Sequence, residues 1–141
     1  LAAKTLATAK FRNAGQVCVS PTRFLVQEKL YAPFVERFVA HAKTVKVGNG
    51  MEEGVQMGPL AHDRRIPWVE GLVADARQRG AEVHTGGERI GNKGYFYAPT
   101  VLTGVGREAR MMNEEPFGPV AMIAPFTDLD EVVEEANRLP Y

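Results

Sequence analysis

Apolar residues recur at helical spacing in several segments of this chain. Residues 2–11 are rich in alanine and hold few helix breakers, which predicts a helix that Gly15 is placed to end. Three more helices are predicted where apolar side chains repeat every three or four residues and so share one face. These positions are Tyr31, Phe34, Val35, Phe38, Ala42 and Val45, then Ile66, Val69, Leu72, Val73 and Ala76, then Leu129, Val132, Val133 and Ala136.

Residues with special backbone chemistry mark the ends of these helices. Pro33 is expected in a first turn, where its missing N–H leaves no hydrogen bond unmade. Gly80 is placed to stop the second amphipathic helix, and Asp128 with Glu131 three residues later is typical of a capping box. The chain therefore contains well-delimited helices.

Short apolar runs between the helices predict strands, and the glycine-rich stretch 47–59 predicts a loop. The predicted strands are Arg23 to Gln27, Ala81 to Thr85, Pro99 to Leu102 and Val120 to Phe126. Because strands alternate with helices, we predict an α/β fold: a layered structure with a largely parallel sheet flanked by helices.

Composition narrows the possible partners. The chain has 141 residues, 45% of them hydrophobic, which suits one globular domain. Lys and Arg together number 17, as do Asp and Glu, so the formal net charge is zero. No excess of positive charge therefore indicates binding to a nucleic acid or an anionic membrane. The single cysteine excludes an internal disulfide, and no Cys/His spacing predicts a metal site. We expect a cytoplasmic protein with neither nucleic acid, membrane nor metal as a partner.

The single cysteine, Cys18, follows a predicted helix end and Gly15. A cysteine in such a loop can act as a nucleophile with backbone N–H groups near the developing oxyanion. A lone cysteine, however, is more often a small buried apolar residue than a nucleophile. Without its surrounding motif, Glu115 is more typical of a solvated turn residue, and Phe117 is typical of a core residue. Spacing alone leaves these alternatives open.

Two longer motifs bear on this choice. Residues 11–18 (FRNAGQVC) closely resemble the cysteine signature of the aldehyde dehydrogenase superfamily, and residues 114–120 (EEPFGPV) resemble its second signature. Between them, residues 58–59 (GP) and 94–101 (GYFYAPTV) are similar to further family landmarks. The resemblance covers essentially the whole chain and implies a fold of the aldehyde dehydrogenase catalytic-domain type.

The resemblance implies a mechanism. The Cys18 thiolate would add to an aldehyde carbon, the thiohemiacetal would lose hydride to NAD or NADP, and water would release the acid from the thioester. Glu115 would accept hydrogen bonds from hydroxyls of the nicotinamide-side ribose, and Phe117 would pack beside the nicotinamide ring. The family's oxyanion asparagine and its general-base glutamate lie upstream of the residues present here.

Arg12 is the candidate for substrate recognition. It lies six positions before Cys18 (18 − 12 = 6), where family members acting on succinate semialdehyde carry arginine. Guanidinium geometry suits the far carboxylate of such a substrate. An arginine exposed on the helix, or paired within the fold, is the open alternative. Ser20 stands where some members of that subgroup carry a second cysteine.

The domain prediction is that residues 1–141 are part of a cysteine-bearing catalytic domain. Most of the cofactor-binding domain and a C-terminal segment would then belong to a longer, homo-oligomeric parent, and the isolated chain would be inactive. Two other classes remain: a protein that keeps the fold without activity, and another thiol enzyme such as an acyltransferase. We interpret His41, His62 and His84 as structural or surface residues.

Overall fold

The computed structural model describes residues 1–140, and helices and strands alternate along them. The elements in chain order are α1 (Ala2–Phe11), β1 (Arg23–Gln27), α2 (Glu28–Thr44), α3 (Arg65–Gln78), β2 (Glu82–Thr85), β3 (Thr100–Thr103), α4 (Arg110–Asn113), β4 (Val120–Phe126) and α5 (Leu129–Ala136). A 3₁₀ turn over Arg12–Gly15 follows α1 directly.

The four strands form one sheet in the order β1-β4-β3-β2. Strand β4 pairs in parallel with both β1 and β3, while β2 runs antiparallel to β3. The connection between β2 and β3 contains no helix, and antiparallel neighbours need no helical crossover. The prediction of an α/β fold with a largely parallel sheet is confirmed.

The core sits around β4 and the helices that cover the sheet. The first four residues of β4, Val120 to Ile123, are at most 3% exposed, as expected of a strand buried on both faces. The apolar positions of α3 are buried as its periodicity predicts. Across residues 1–140 no helix is both long and apolar enough to cross a membrane.

A cluster of four phenylalanines joins α1, β1 and α2. The ring of Phe38 lies 6.1 Å from Phe11, 4.9 Å from Phe24 and 5.8 Å from Phe34, measured between centroids. Edge-to-face and tilted pairs of this kind are favourable beyond their burial. Because Phe11 ends α1, the cluster fixes the point from which the loop carrying Cys18 departs.

One local prediction was wrong and one element was missed. The helix predicted over residues 2–11 matches α1, and the 3₁₀ turn that follows it, in which Asn13 and Ala14 adopt left-handed backbone angles, ends at Gly15. Pro33 lies inside α2 rather than in its first turn, because α2 begins at Glu28, directly after β1. The single turn α4 was not predicted, since the Asp75 carboxylate on α3 accepts the backbone N–H of Arg110 at 2.8 Å. A cap from so distant a residue leaves no local signal.

Candidate active site

The loop that carries Cys18 is a tight reversal of the chain after α1. Asn13, Ala14 and Gly15 have φ angles of 50°, 54° and 71°, and Asn and Gly tolerate this left-handed region better than other residues. The Asn13 amide nitrogen also donates to the backbone oxygen of Gln16 at 3.2 Å. Cys18 follows and is exposed, so the interpretation of a small buried residue is wrong.

Gln16 fastens this loop to the rest of the fold. Its side-chain nitrogen donates to the backbone oxygens of Asn13 (3.1 Å) and Pro59 (3.4 Å). Its side-chain oxygen accepts the backbone N–H of Ala61 at 2.9 Å. Sequence reasoning missed this role, although Gln16 and Pro59 both stand in motifs that the resemblance singled out.

The two signature motifs touch each other, backbone against backbone. A Cβ atom added to Gly15 would lie 2.1 Å from the carbonyl oxygen of Gly118, so no larger residue fits this approach. Gly118 itself packs against Val69, since a Cβ there would lie 2.7 Å from the Val69 side chain. The contact brings the Cys18 loop and the segment 114–119 to one place.

A cavity of about 320 Å³ opens between these two motifs. Cys18, Glu115 and Phe117 all line it, together with Met111, Met112 and other residues. Glu115 is exposed, and its carboxylate makes no hydrogen bond or ion pair within residues 1–140. Phe117 is half-buried with a φ angle of 39°. Three of the four predicted site residues therefore share one cavity.

Arg12, the fourth predicted residue, lines a different and smaller cavity of about 170 Å³. Its other lining residues are Ala9, Val17, Val19 and Ser20, and Val17 and Ser20 line the larger cavity as well. The loop around Cys18 therefore separates two openings. The Arg12 side chain is exposed and makes no hydrogen bond or ion pair across the described residues, so the alternative of pairing within the fold is not observed.

A buried lysine lies beneath the same loop. Lys10 is 1% exposed, and its ammonium nitrogen donates to the Ser20 hydroxyl oxygen at 3.4 Å. Burial lowers the pKa of Lys10 from its ordinary value of 10.5 to about 8, because it removes the hydration that stabilises the charged ammonium group. Sequence reasoning missed this residue, since nothing in an alanine-rich helix distinguishes it from exposed Lys4.

Glu114 and Glu115 are neighbours with different environments. Arg110 donates to both Glu114 carboxylate oxygens at 2.9 Å, and this hydrogen bonding lowers the pKa of Glu114. The ion pair gives Glu114 a structural role and leaves Glu115 as the acidic residue available at the cavity.

The side chains of two of the three histidines make polar contacts within the fold. His41 contacts the Thr8 hydroxyl at 3.0 Å and His84 contacts that of Thr103 at 2.7 Å. Within the described part of the chain, no three His, Cys, Asp or Glu side chains form a group that could hold a metal ion.

Comparisons with known proteins agree with these motifs. The family model "Aldehyde dehydrogenase family" matches residues 1–141. The "Probable succinate-semialdehyde dehydrogenase", NADP(+), of Sinorhizobium fredii (strain NBRC 101917 / NGR234) is 47% identical over 94% of this chain and 27% of its own length. The 3-sulfolactaldehyde dehydrogenase of Pseudomonas putida is 42% identical over 100% of this chain and 29% of its own.

A solved structure gives the same answer for the fold. The NAD+ complex of aldehyde dehydrogenase from Bacillus cereus superposes with a TM-score of 0.95 at 38% identity, covering 99% of this chain and 28% of that one. The chain belongs to the aldehyde dehydrogenase family. It spans between 27% and 29% of the length of these three relatives.

Proposed function

We propose that the complete polypeptide carrying this chain oxidises an acidic aldehyde to a carboxylic acid, with NAD or NADP as the oxidant and Cys18 as the nucleophile. The observation that carries the proposal is that Cys18, Glu115 and Phe117 line one cavity. Succinate semialdehyde represents the substrate class. The isolated chain, which matches less than a third of its relatives' length, is expected to be inactive.

The exposed thiol of Cys18 suits the first bond-forming step. The thiolate sulfur adds to the aldehyde carbon, and the carbonyl oxygen becomes an oxyanion that the Cys18 backbone N–H would stabilise. The same carbon then loses hydride, which leaves a thioester on the sulfur. Water releases the carboxylic acid and returns the thiolate, because a thiolate is a good leaving group.

The residues at the larger cavity fit a nicotinamide cofactor. The free carboxylate of Glu115 offers two acceptor oxygens, which suits the vicinal hydroxyls of a ribose. Phe117 presents an aromatic side chain at the same opening. When bound, the cofactor supplies the hydride acceptor, and Glu115 and Phe117 hold its nicotinamide half.

The exposed guanidinium of Arg12 supports an anionic substrate. It flanks the Cys18 loop at the second opening, where it is free to form a charge-assisted pair. Two relatives carry names of aldehydes with an acidic group, a succinate semialdehyde and a 3-sulfolactaldehyde. A carboxylate and a sulfonate both carry a negative charge that is spread over two or three oxygen atoms. A guanidinium group recognises such an anion through its several N–H donors.

Arg12→Ala is expected to lower kcat/KM for succinate semialdehyde by about a hundredfold, because a charge-assisted hydrogen bond to the substrate is lost. Butanal, which has no carboxylate, should be oxidised almost as before. Steady-state assays of cofactor reduction with both aldehydes measure the difference. Lys4→Ala is the matched control, because it removes an exposed cation from the preceding helix. Equal losses on both aldehydes would show that Arg12 serves the fold.

Glu115→Gln is expected to slow hydride transfer more than it weakens cofactor binding, because the amide keeps the shape but loses the charge and one acceptor oxygen. The melting temperature should stay unchanged, since the carboxylate has no partner within residues 1–140. Single-turnover kinetics and calorimetric titration of the cofactor separate the two effects. Glu114→Gln is the contrast, because it breaks the pair with Arg110 and should lower stability instead. Unchanged hydride transfer with reduced stability in Glu115→Gln would contradict the assignment.

A further inference from the structure

Two arginines contact the same tryptophan beside the segment 114–117. The guanidinium carbons of Arg65 and Arg110 lie 5.6 Å and 5.3 Å from the ring centroid of Trp68. Both distances are within the range of cation–π attraction. Arg65 and Trp68 belong to α3 and Arg110 to α4, so this Arg65–Trp68–Arg110 cluster joins two helices.

Arg65 holds the backbone of the second signature motif. One of its terminal nitrogens, Nη2, donates to the carbonyl oxygens of both Pro116 and Phe117, the latter at 3.0 Å. These carbonyls flank the left-handed turn at Phe117, whose φ angle is 39°. A non-glycine residue persists in this region only where its surroundings determine the conformation. The two hydrogen bonds from Arg65 provide such a constraint.

Arg110 holds the other end of the same segment. Its Nε and Nη2 atoms donate to the two carboxylate oxygens of Glu114, each at 2.9 Å, in the bidentate geometry that favours arginine over lysine. Arg110 is itself fixed, because its backbone N–H donates to Asp75 at 2.8 Å. Glu115 therefore lies between two residues, Glu114 and Pro116, that are bound on either side.

We propose that Arg65, Trp68 and Arg110 are positioning residues that hold Glu115 and Phe117 toward the nicotinamide half of the cofactor, an inference that rests on the function proposed above. None of the three lines the cavity that Cys18, Glu115 and Phe117 share. Their effect therefore passes through the backbone of residues 114–117. Arg65 carries most of it, because its hydrogen bonds fix the turn at Phe117 itself.

The test compares Arg65→Met with Arg64→Met in the complete polypeptide. Arg64 is exposed, and its side chain makes no hydrogen bond or ion pair across the described residues, so it controls for loss of a cation at the start of α3. Arg65→Met should raise KM for the cofactor about tenfold, since two charge-assisted hydrogen bonds are lost. KM for the aldehyde and the rate of Cys18 alkylation by iodoacetamide should stay within about twofold. Arg64→Met should behave as the wild type.

Two further measurements keep the inference open to refutation. Arg65→Lys retains the positive charge over Trp68 but lacks the planar guanidinium fork, so it should bind the cofactor more tightly than Arg65→Met and less tightly than the wild type. This variant also serves as a control in case Arg65→Met does not fold. Hydrogen exchange of residues 114–118, which requires no activity, should be faster in Arg65→Met than in Arg64→Met. Equal rises in both KM values, or exchange identical to that of Arg64→Met, would overturn the positioning role. If the wild type does not reduce the cofactor but hydrogen exchange is still faster in Arg65→Met, the proposed function alone is overturned.

Discussion

Cys18→Ser is expected to reduce aldehyde oxidation by the complete polypeptide at least about a thousandfold, because a serine hydroxyl is a far weaker nucleophile near neutral pH than a cysteine thiolate. An oxygen ester would also release its acyl group less readily than a thioester. Cys18 is exposed at the cavity that Glu115 and Phe117 line, so the substitution removes the reacting atom and leaves the cavity walls in place. Cofactor reduction in steady state measures the loss.

The serine variant also separates chemistry from binding. Calorimetric titration should show that it binds NAD or NADP as the wild type does, since serine nearly preserves the shape of cysteine. Because the chain has one cysteine, iodoacetamide labelling of a peptide from residues 1–140 reports on Cys18 alone. Acyl transfer to the serine variant at the wild-type rate would show that the nucleophile is a residue other than Cys18.

Lys10→Met is expected to stabilise the chain near neutral pH by up to about 3 kcal/mol. Burial lowers the pKa of Lys10 from 10.5 to about 8, and the gap between these two values corresponds to about 3 kcal/mol of unfavourable charge burial. Methionine is unbranched and adaptable, so it can occupy the space of the lysine stem. The one side-chain contact that is lost, to the Ser20 hydroxyl, is long at 3.4 Å.

The pH dependence of stability tests the same cause. The folded chain releases the Lys10 proton at a lower pH than the unfolded chain, so between pH 8 and 10.5 the unfolded state binds more protons. The free energy of unfolding should therefore rise with pH across this window in the wild type. This rise should be absent in Lys10→Met. Urea unfolding of the 141-residue chain measures both, with Lys4→Met as the control for an exposed lysine on the same helix. A destabilised Lys10→Met variant with the wild-type pH dependence would contradict this account.

Hydrophobic periodicity was sufficient wherever a whole face or a whole strand is buried. The predicted bounds of β4 match the structure, because its residues are all apolar and the first four of them are buried on both faces of the sheet. The cap of α5 was also predictable, since the Asp128 side chain accepts the backbone N–H groups of Asp130 and Glu131, two and three residues later. Interactions this local leave their signal in adjacent residues.

Elements that depend on distant partners were not predictable in this way. The turn α4 relies on the Asp75 carboxylate of α3, which lies 35 residues before Arg110. Hydrophobic patterns carry no record of such contacts. For the same reason, the buried state of Lys10 and the hydrogen bonds of Arg65 to the Phe117 turn were absent from the sequence-based picture.

The sequence by itself determined the α/β class and, through two motifs at residues 11–18 and 114–120, the family and the candidates Arg12, Cys18, Glu115 and Phe117. Only the tertiary structure decided how these candidates are arranged. It brings Gly15 against Gly118, groups three candidates at one cavity and separates Arg12 from them by the Cys18 loop. Residues about a hundred positions apart meet only because β1 and β4 pair in parallel and the helices pack over them, and such long-range packing is not encoded in any short segment.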